Sequence, residues 1–219
     1  AILCRSVVLT LTTVAVVGGA VASQTTQSYA ERAVGRDVVL IAHPDLSRRY
    51  LDLHSRFLGE TGEEAPVDYL NSDYLIPESV IDALNSDTQV RLDPRLVLEA
   101  TVQEVPGYII DPKEPTQYVQ VGDHRSRGAL VLGLDPRRVV NDWLIMGRFL
   151  NETDRLSAVV GDSLALGNFE NPLRQKVRVL GEDFEIVGEC LDPLNNGNVA
   201  YVPLDALSAV VNRTGCNLL

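Results

Sequence analysis

One turn in this 219-residue chain has the residue types of a nucleophilic site. Gly161-Asp162-Ser163-Leu164 follows the apolar run Ser157 to Val160 and opens a helical stretch. A serine so placed attacks a carbonyl only if a histidine takes its proton and an acid orients that histidine. The three histidines, His43, His54 and His124, all precede Ser163. The residues favour a plainer role, in which Gly161 makes a tight turn and Asp162 or Ser163 caps the helix. Other chemistries also lack their parts. Cys4, Cys190 and Cys216 form no C-x-x-C, and the histidines have no metal-ligand spacing. No Walker A loop exists, so this chain does not itself hydrolyse ATP, and no G-x-G-x-x-G follows a strand. The carboxylate pairs Glu63-Glu64 and Glu182-Asp183 lie in turn segments, where solubility explains them. No catalytic, cofactor-binding or metal-binding residue is assigned.

The elements around that turn come next. Asp and Glu outnumber Lys and Arg by 30 to 19, a net charge of −11, which excludes a phosphate-binding stripe and hence nucleic acid. Aromatics make up only 5%, so the core must be built from Val, Leu and Ile. Ser6 to Ala30 carries no charge, and Val7 to Ala22 is dense in Val, Ala, Leu, Gly and Thr. Spanning a bilayer takes about 20 apolar residues. The expectation is a transmembrane helix running on as a stalk, Ser23 to Val34, with Arg5 marking its cytoplasmic end. The rival is a signal peptide cleaved after Ala20-Val21-Ala22. Both readings put residues 35–219 outside the cytoplasm.

Beyond the stalk, Asp37 to Ala42 reads as a buried strand ended by Pro44. The spacing of Tyr50, Leu51, Leu53, Phe57 and Leu58 suggests a short helix, followed by the acidic loop Glu60 to Glu64. Ile76 to Leu84 predicts a helix with Pro77 in its first turn. Strands are expected over Gln89 to Glu104, Tyr118 to Val121 and Ala129 to Leu134. Arg137 to Trp143 predicts a short helix, Arg148 to Leu150 an extended piece, and Ser157 to Val160 a buried strand. Ser163 to Phe169 then predicts a helix. Val177 and Val179 alternate with Arg178, and Phe184 and Ile186 with Glu185, around Gly181-Glu182-Asp183: a hairpin with one wet face. Val199 to Val202 is a further strand, Asp205 caps a last helix, and Cys216 to Leu219 begins another strand. Strands and helices alternate irregularly, which is an α+β pattern.

Four features in this order form a recognisable series: Gly147-Arg148-Phe149 before an acidic turn, Val159-Val160-Gly161 opening a helix, the Val177 to Gly188 hairpin, and Ala200-Tyr201-Val202-Pro203-Leu204 before the final helix. The series resembles the extracytoplasmic core domain of ABC-transporter permeases of the MacB/FtsX-like family. The resemblance implies residues 1–34 as transmembrane and stalk helix and residues 35–219 as a two-lobed core domain. Its β-α-β units come from both ends of the domain, and a β-rich insertion lies near 105–155. It also implies a membrane-embedded protein with a cytoplasmic ABC ATPase, a second permease protomer and an envelope adaptor as partners. ATP-driven motion would export or extract a lipid, lipoprotein, peptide or drug. The alternatives are a secreted acidic binding module and, more distantly, a GDSL-type esterase, which the turn at Ser163 resembles in four letters without the catalytic base. An extracytoplasmic location permits a Cys190–Cys216 disulfide, the other reading being two free buried thiols. Asn151-Glu152-Thr153 and Asn212-Arg213-Thr214 match the N-glycosylation sequon.

Overall fold

Apolar alternation and one wholly apolar run dictate most of the sheet. In the computed structural model, residues 39–55, 67–86, 91–138 and 143–219 are described. Two helices come first, α1 (Pro44–Ser55) and α2 (Glu78–Asn85). Five strands follow: β1 (Arg95–Val105), β2 (Gly107–Ile110), β3 (Tyr118–Val121), β4 (Ser126–Leu134) and β5 (Leu144–Gly147). Then come β6 (Ser157–Gly161), α3 (Asp162–Asn168), β7 (Lys176–Val179), β8 (Glu182–Cys190), β9 (Val199–Pro203) and α4 (Leu204–Val211).

Seven strands lie in the order β5-β8-β6-β9-β4-β1-β7, and β7 also pairs with β8, so the sheet closes on itself. Closure is possible because β8 is long enough to serve two neighbours on one side. Its residues 182–185 pair with β7 and its residues 188–190 with β5. Pairings β4–β9 and β6–β8 are parallel, whereas β1–β4, β1–β7 and β6–β9 are antiparallel. The parallel β6–β8 pair is bridged by α3 and β7, a β-α-β unit with a strand added to its crossover. β6 and β9 are buried at every residue, as expected for strands covered on both faces. Leu96, Leu130, Leu132, Leu134, Phe184 and Ile186 fill the interior. Each such side chain contributes about 1.5–3 kcal/mol by leaving water. The expected hairpin is present as β7–β8, with Val177, Val179, Phe184 and Ile186 inside and Lys176, Glu182 and Glu185 outside.

Several expectations are corrected. The run ending at Ala42 is not a buried strand among its described residues. Val39 is exposed, and Ala42 makes only an isolated bridge to Leu218. Pro44 starts α1 rather than ending a strand, since the first helical position needs no N–H. Asp205 lies in the first turn of α4, whose N-cap is Pro203. Cys190 and Cys216 are free and buried, so the disulfide does not form. Burial pushes both thiols up, Cys216 to about 11. Residues 40–219 form one compact unit. Within 105–155, β2 and β3 make a separate two-stranded sheet, while β4 and β5 belong to the main one. The anchor and stalk over residues 1–34, Cys4, Phe57, Leu58 and the acidic run Glu60 to Glu64 lie outside the described residues. So do residues 139–142 of the helix expected from Arg137. Among the described residues, no helix is long and apolar enough to cross a membrane.

Candidate functional site

The strongest departure from the closed sheet is at the C-terminal end of β1. Pro106 has no N–H to continue the ladder, and the chain leaves the main sheet there. A Cβ on Gly107 would collide with the Arg174 carbonyl, so only glycine lets β2 pass that close. β2 and β3 then pair antiparallel, with Tyr108 opposite Gln120, Ile109 opposite Val119 and Ile110 opposite Tyr118. Asp111 closes the turn: its N–H donates to the Gln117 carbonyl (2.9 Å) and its carboxylate accepts from the Lys113 N–H (2.8 Å). Because side chains alternate, Tyr108, Ile110 and Tyr118 share one face of this hairpin. They are 64%, 55% and 72% exposed, an apolar face that nothing in the described chain covers.

Beneath the hairpin sits a buried carboxylate. Glu104 accepts from the backbone N–H groups of Asp123 (2.8 Å) and Arg125 (3.2 Å), from the Arg125 guanidinium (3.1 Å) and from the Gln175 amide. Gln175 in turn accepts from the N–H groups of Glu170 (3.0 Å) and Asn171 (2.7 Å), and Glu170 accepts from the Gly122 N–H (3.1 Å). Gly122, at φ +97°, takes the left-handed conformation this wrapping needs. Burial alone would raise the Glu104 pKa. The Asp123 N–H, Gln175 and Arg125 outweigh it and hold the group below its ordinary value, charged and pinned.

A second buried cluster lies in the loop that follows β8, against Tyr201 of β9. Asp192 accepts from the Tyr201 hydroxyl (2.5 Å) and the Leu194 N–H (2.8 Å), while its own N–H donates to Asp162 (3.3 Å). Burial raises the Asp192 pKa and the nearby Asp162 adds to it, against the two hydrogen bonds. Glu189 is raised by burial and by Asp162 as well. The acidic turn after Gly147-Arg148-Phe149 is held differently. Asp154 takes both guanidinium nitrogens of Arg148 (2.6 and 2.8 Å), the Asn151 N–H and the Ser157 hydroxyl, and Arg148 above all brings its pKa to about 2.

Ser163 stands at the start of α3, where its carbonyl accepts from Arg127 (3.1 Å) and Asp162 accepts from the Asp192 N–H. Two of the three histidines are engaged elsewhere: His43 stacks on Tyr74, and His54 packs edge-on to Tyr50. No metal-holding cluster occurs among the described residues. Both sequon asparagines are exposed, Asn151 in the turn held by Asp154 and Asn212 at the left-handed C-cap of α4. The charged and polar groups that organise the domain, Glu104, Gln175, Asp192 and Asn217, are not singled out by motif. A signal for Glu104 exists: it stands at the inward parity of β1 with Val102, where a carboxylate is out of place unless paired.

The described residues form a closed, sheet-rich α+β domain with buried polar clusters at its ends. The family model described as the MacB-like periplasmic core domain matches residues 6–215, and the chain belongs to that family. Among solved structures it is similar to the periplasmic region of MacB from Actinobacillus actinomycetemcomitans, at 18% identity over 64% of this chain and 60% of that one, TM-score 0.46. It is also similar to the extracellular domain of the noncanonic ABC-type transporter YknZ from Gram-positive bacteria, at 15% identity over 70% and 76%, TM-score 0.45. The chain thus spans less than two thirds of the MacB region it matches. No curated protein matches it. The chain is therefore an extracytoplasmic domain of a permease-type ABC transporter component.

Proposed function

We propose that this domain receives force from the membrane part of the permease and passes it outward. ATP-driven movement of a cytoplasmic ATPase and of a second protomer, carried by the anchor and stalk over residues 1–34, would drive export or extraction of a lipid, lipoprotein, peptide or drug. The observation that carries this reading is that residues 41–42 pair with the stretch 217–219, which in turn bonds to β1. Ile41 and Leu219 exchange two backbone hydrogen bonds (2.8 and 2.9 Å), and Arg95 and Leu218 exchange two more (2.8 and 3.1 Å). Asn217, fully buried, accepts from the Val97 N–H (2.8 Å) and donates to the carbonyls of Val97 (2.8 Å) and Tyr69 (3.1 Å). A pull on either end loads the same strand, and β1 carries it some 11 residues to the hairpin.

Reconstitution of the full permease with its ATPase in proteoliposomes tests this. Asn217→Ala removes the side chain that ties the C-terminal residues to β1. ATP hydrolysis is expected to continue while transport falls, with the melting temperature of the domain as the control for folding. Unchanged transport in a folded variant would remove this tie to β1 from the mechanism.

A further inference from the structure

We propose that the outer edge of β3 accepts a third strand from a partner protein: an extended segment with alternating apolar side chains, flanked by lysine or arginine. A two-stranded sheet is marginal in water, and an open edge beside an exposed apolar face is a template for pairing. β2 is closed off on its far side, where Gly107 abuts the Arg174 carbonyl. β3 is open: Tyr118, Val119 and Gln120 are all exposed, and β2 is its only partner strand among the described residues. The platform is also preorganised, since the Glu104, Gln175 and Glu170 bonds fix the hairpin base before any partner arrives.

Charge and area decide what kind of partner fits. At the turn and base of the hairpin stand Asp111, Glu114, Asp123 and Glu170 against Lys113, Arg174 and Arg125, the last already paired with the buried Glu104, and the whole chain carries −11. Such a field attracts a basic-edged partner and repels a second copy or an anionic lipid surface. A second copy would also need to bury about 800 Å² per partner, far more than three side chains on a short hairpin offer. Strand addition needs less area, because main-chain hydrogen bonds supply affinity and alternate side chains supply specificity. The inference does not depend on the transport reading, since the binding is measured without ATP or cargo.

The probe is a ten-residue peptide of alternating Val and Thr with two lysines at each end, and its counterpart with glutamates in their place. Binding of each to the full chain is followed by fluorescence anisotropy, with hydrogen exchange at residues 118–120. The lysine peptide is expected to bind at least tenfold tighter than the glutamate one, to weaken with salt and to protect those amides. The triple variant Tyr108→Ser, Ile110→Ser, Tyr118→Ser changes only exposed side chains; it should keep its circular dichroism spectrum and lose tenfold or more in affinity. Absent binding, equal binding of the two peptides, or unchanged affinity in the folded variant would overturn the proposal. So would hairpin-dependent dimerisation in sedimentation, or hairpin-dependent binding to phosphatidylglycerol vesicles.

Discussion

At the hairpin base Glu104 is surrounded by donors, two backbone N–H groups, a guanidinium and an amide, and its pKa falls below the ordinary carboxylate value. In the loop after β8, Asp192 has a hydroxyl and one N–H for its oxygens, and burial, with Asp162 beside it, raises its pKa. Burial is common to both. The number of donors that reach the carboxylate separates them. One carboxylate works as a charged clamp and the other as a group the fold would sooner keep neutral. The clamp stands where the chain leaves the closed sheet and must be held from outside it; the second sits inside packing that already fixes it.

Removing the clamp should have the largest effect. Glu104→Gln turns one acceptor oxygen into a donor facing other donors, and should lower stability by roughly 2–4 kcal/mol, the cost of one or two buried donors left unsatisfied. Urea unfolding measures it, and a change below about 0.5 kcal/mol would break the contrast. Asp154→Asn comes next, at roughly 1–2 kcal/mol for a charge-assisted hydrogen bond lost near neutral pH. Asp154 has a depressed folded pKa of about 2, so its contribution is present above the unfolded value near 4 and lost as pH falls through about 2. The gap between wild type and variant should therefore narrow on acidification. Asp192→Asn keeps an acceptor for Tyr201 and should change stability by less than about 1 kcal/mol at pH 7. Here the sign reverses: with a raised folded pKa, wild type should gain on the variant as pH falls from 7 towards 4. The smallest effect is expected at the thiols. Reductant should leave the melting temperature unchanged, and Cys190 and Cys216 should react with a thiol reagent only on unfolding.

The strands buried on both faces were the most legible part of the sequence. Ala129 to Leu134, Ser157 to Val160 and Val199 to Val202 each carry an apolar run or a short Ser-led version of one, and all three are strands. The wet-faced hairpin was equally clear, because Arg178 and Glu185 interrupt its apolar residues at period two. Closure of the sheet was not legible, since nothing in Glu182 to Cys190 says that one strand serves two neighbours. The described part of the run expected as a strand, Val39 to Ala42, differs for a related reason: an apolar run says that residues are wanted inside, not that a partner strand awaits them. Glu104 and Asp192 escaped notice because their partners, Gln175 and Tyr201, are distant or unremarkable in sequence. A pairing across 71 positions leaves no local pattern.

The central claim is that residues 40–219 move as one body, loaded through β1, when the partner ATPase binds ATP. Spin labels at the exposed Thr101 and Glu182, each changed to cysteine in a Cys4→Ser background, report distances within one domain and between two protomers of the full permease. The account predicts a distance from Thr101 to Glu182 that ATP leaves unchanged, and a distance between the two Thr101 labels that shifts on ATP binding. A between-protomer distance that ignores ATP during active transport, or an intradomain distance that changes with it, would contradict the account.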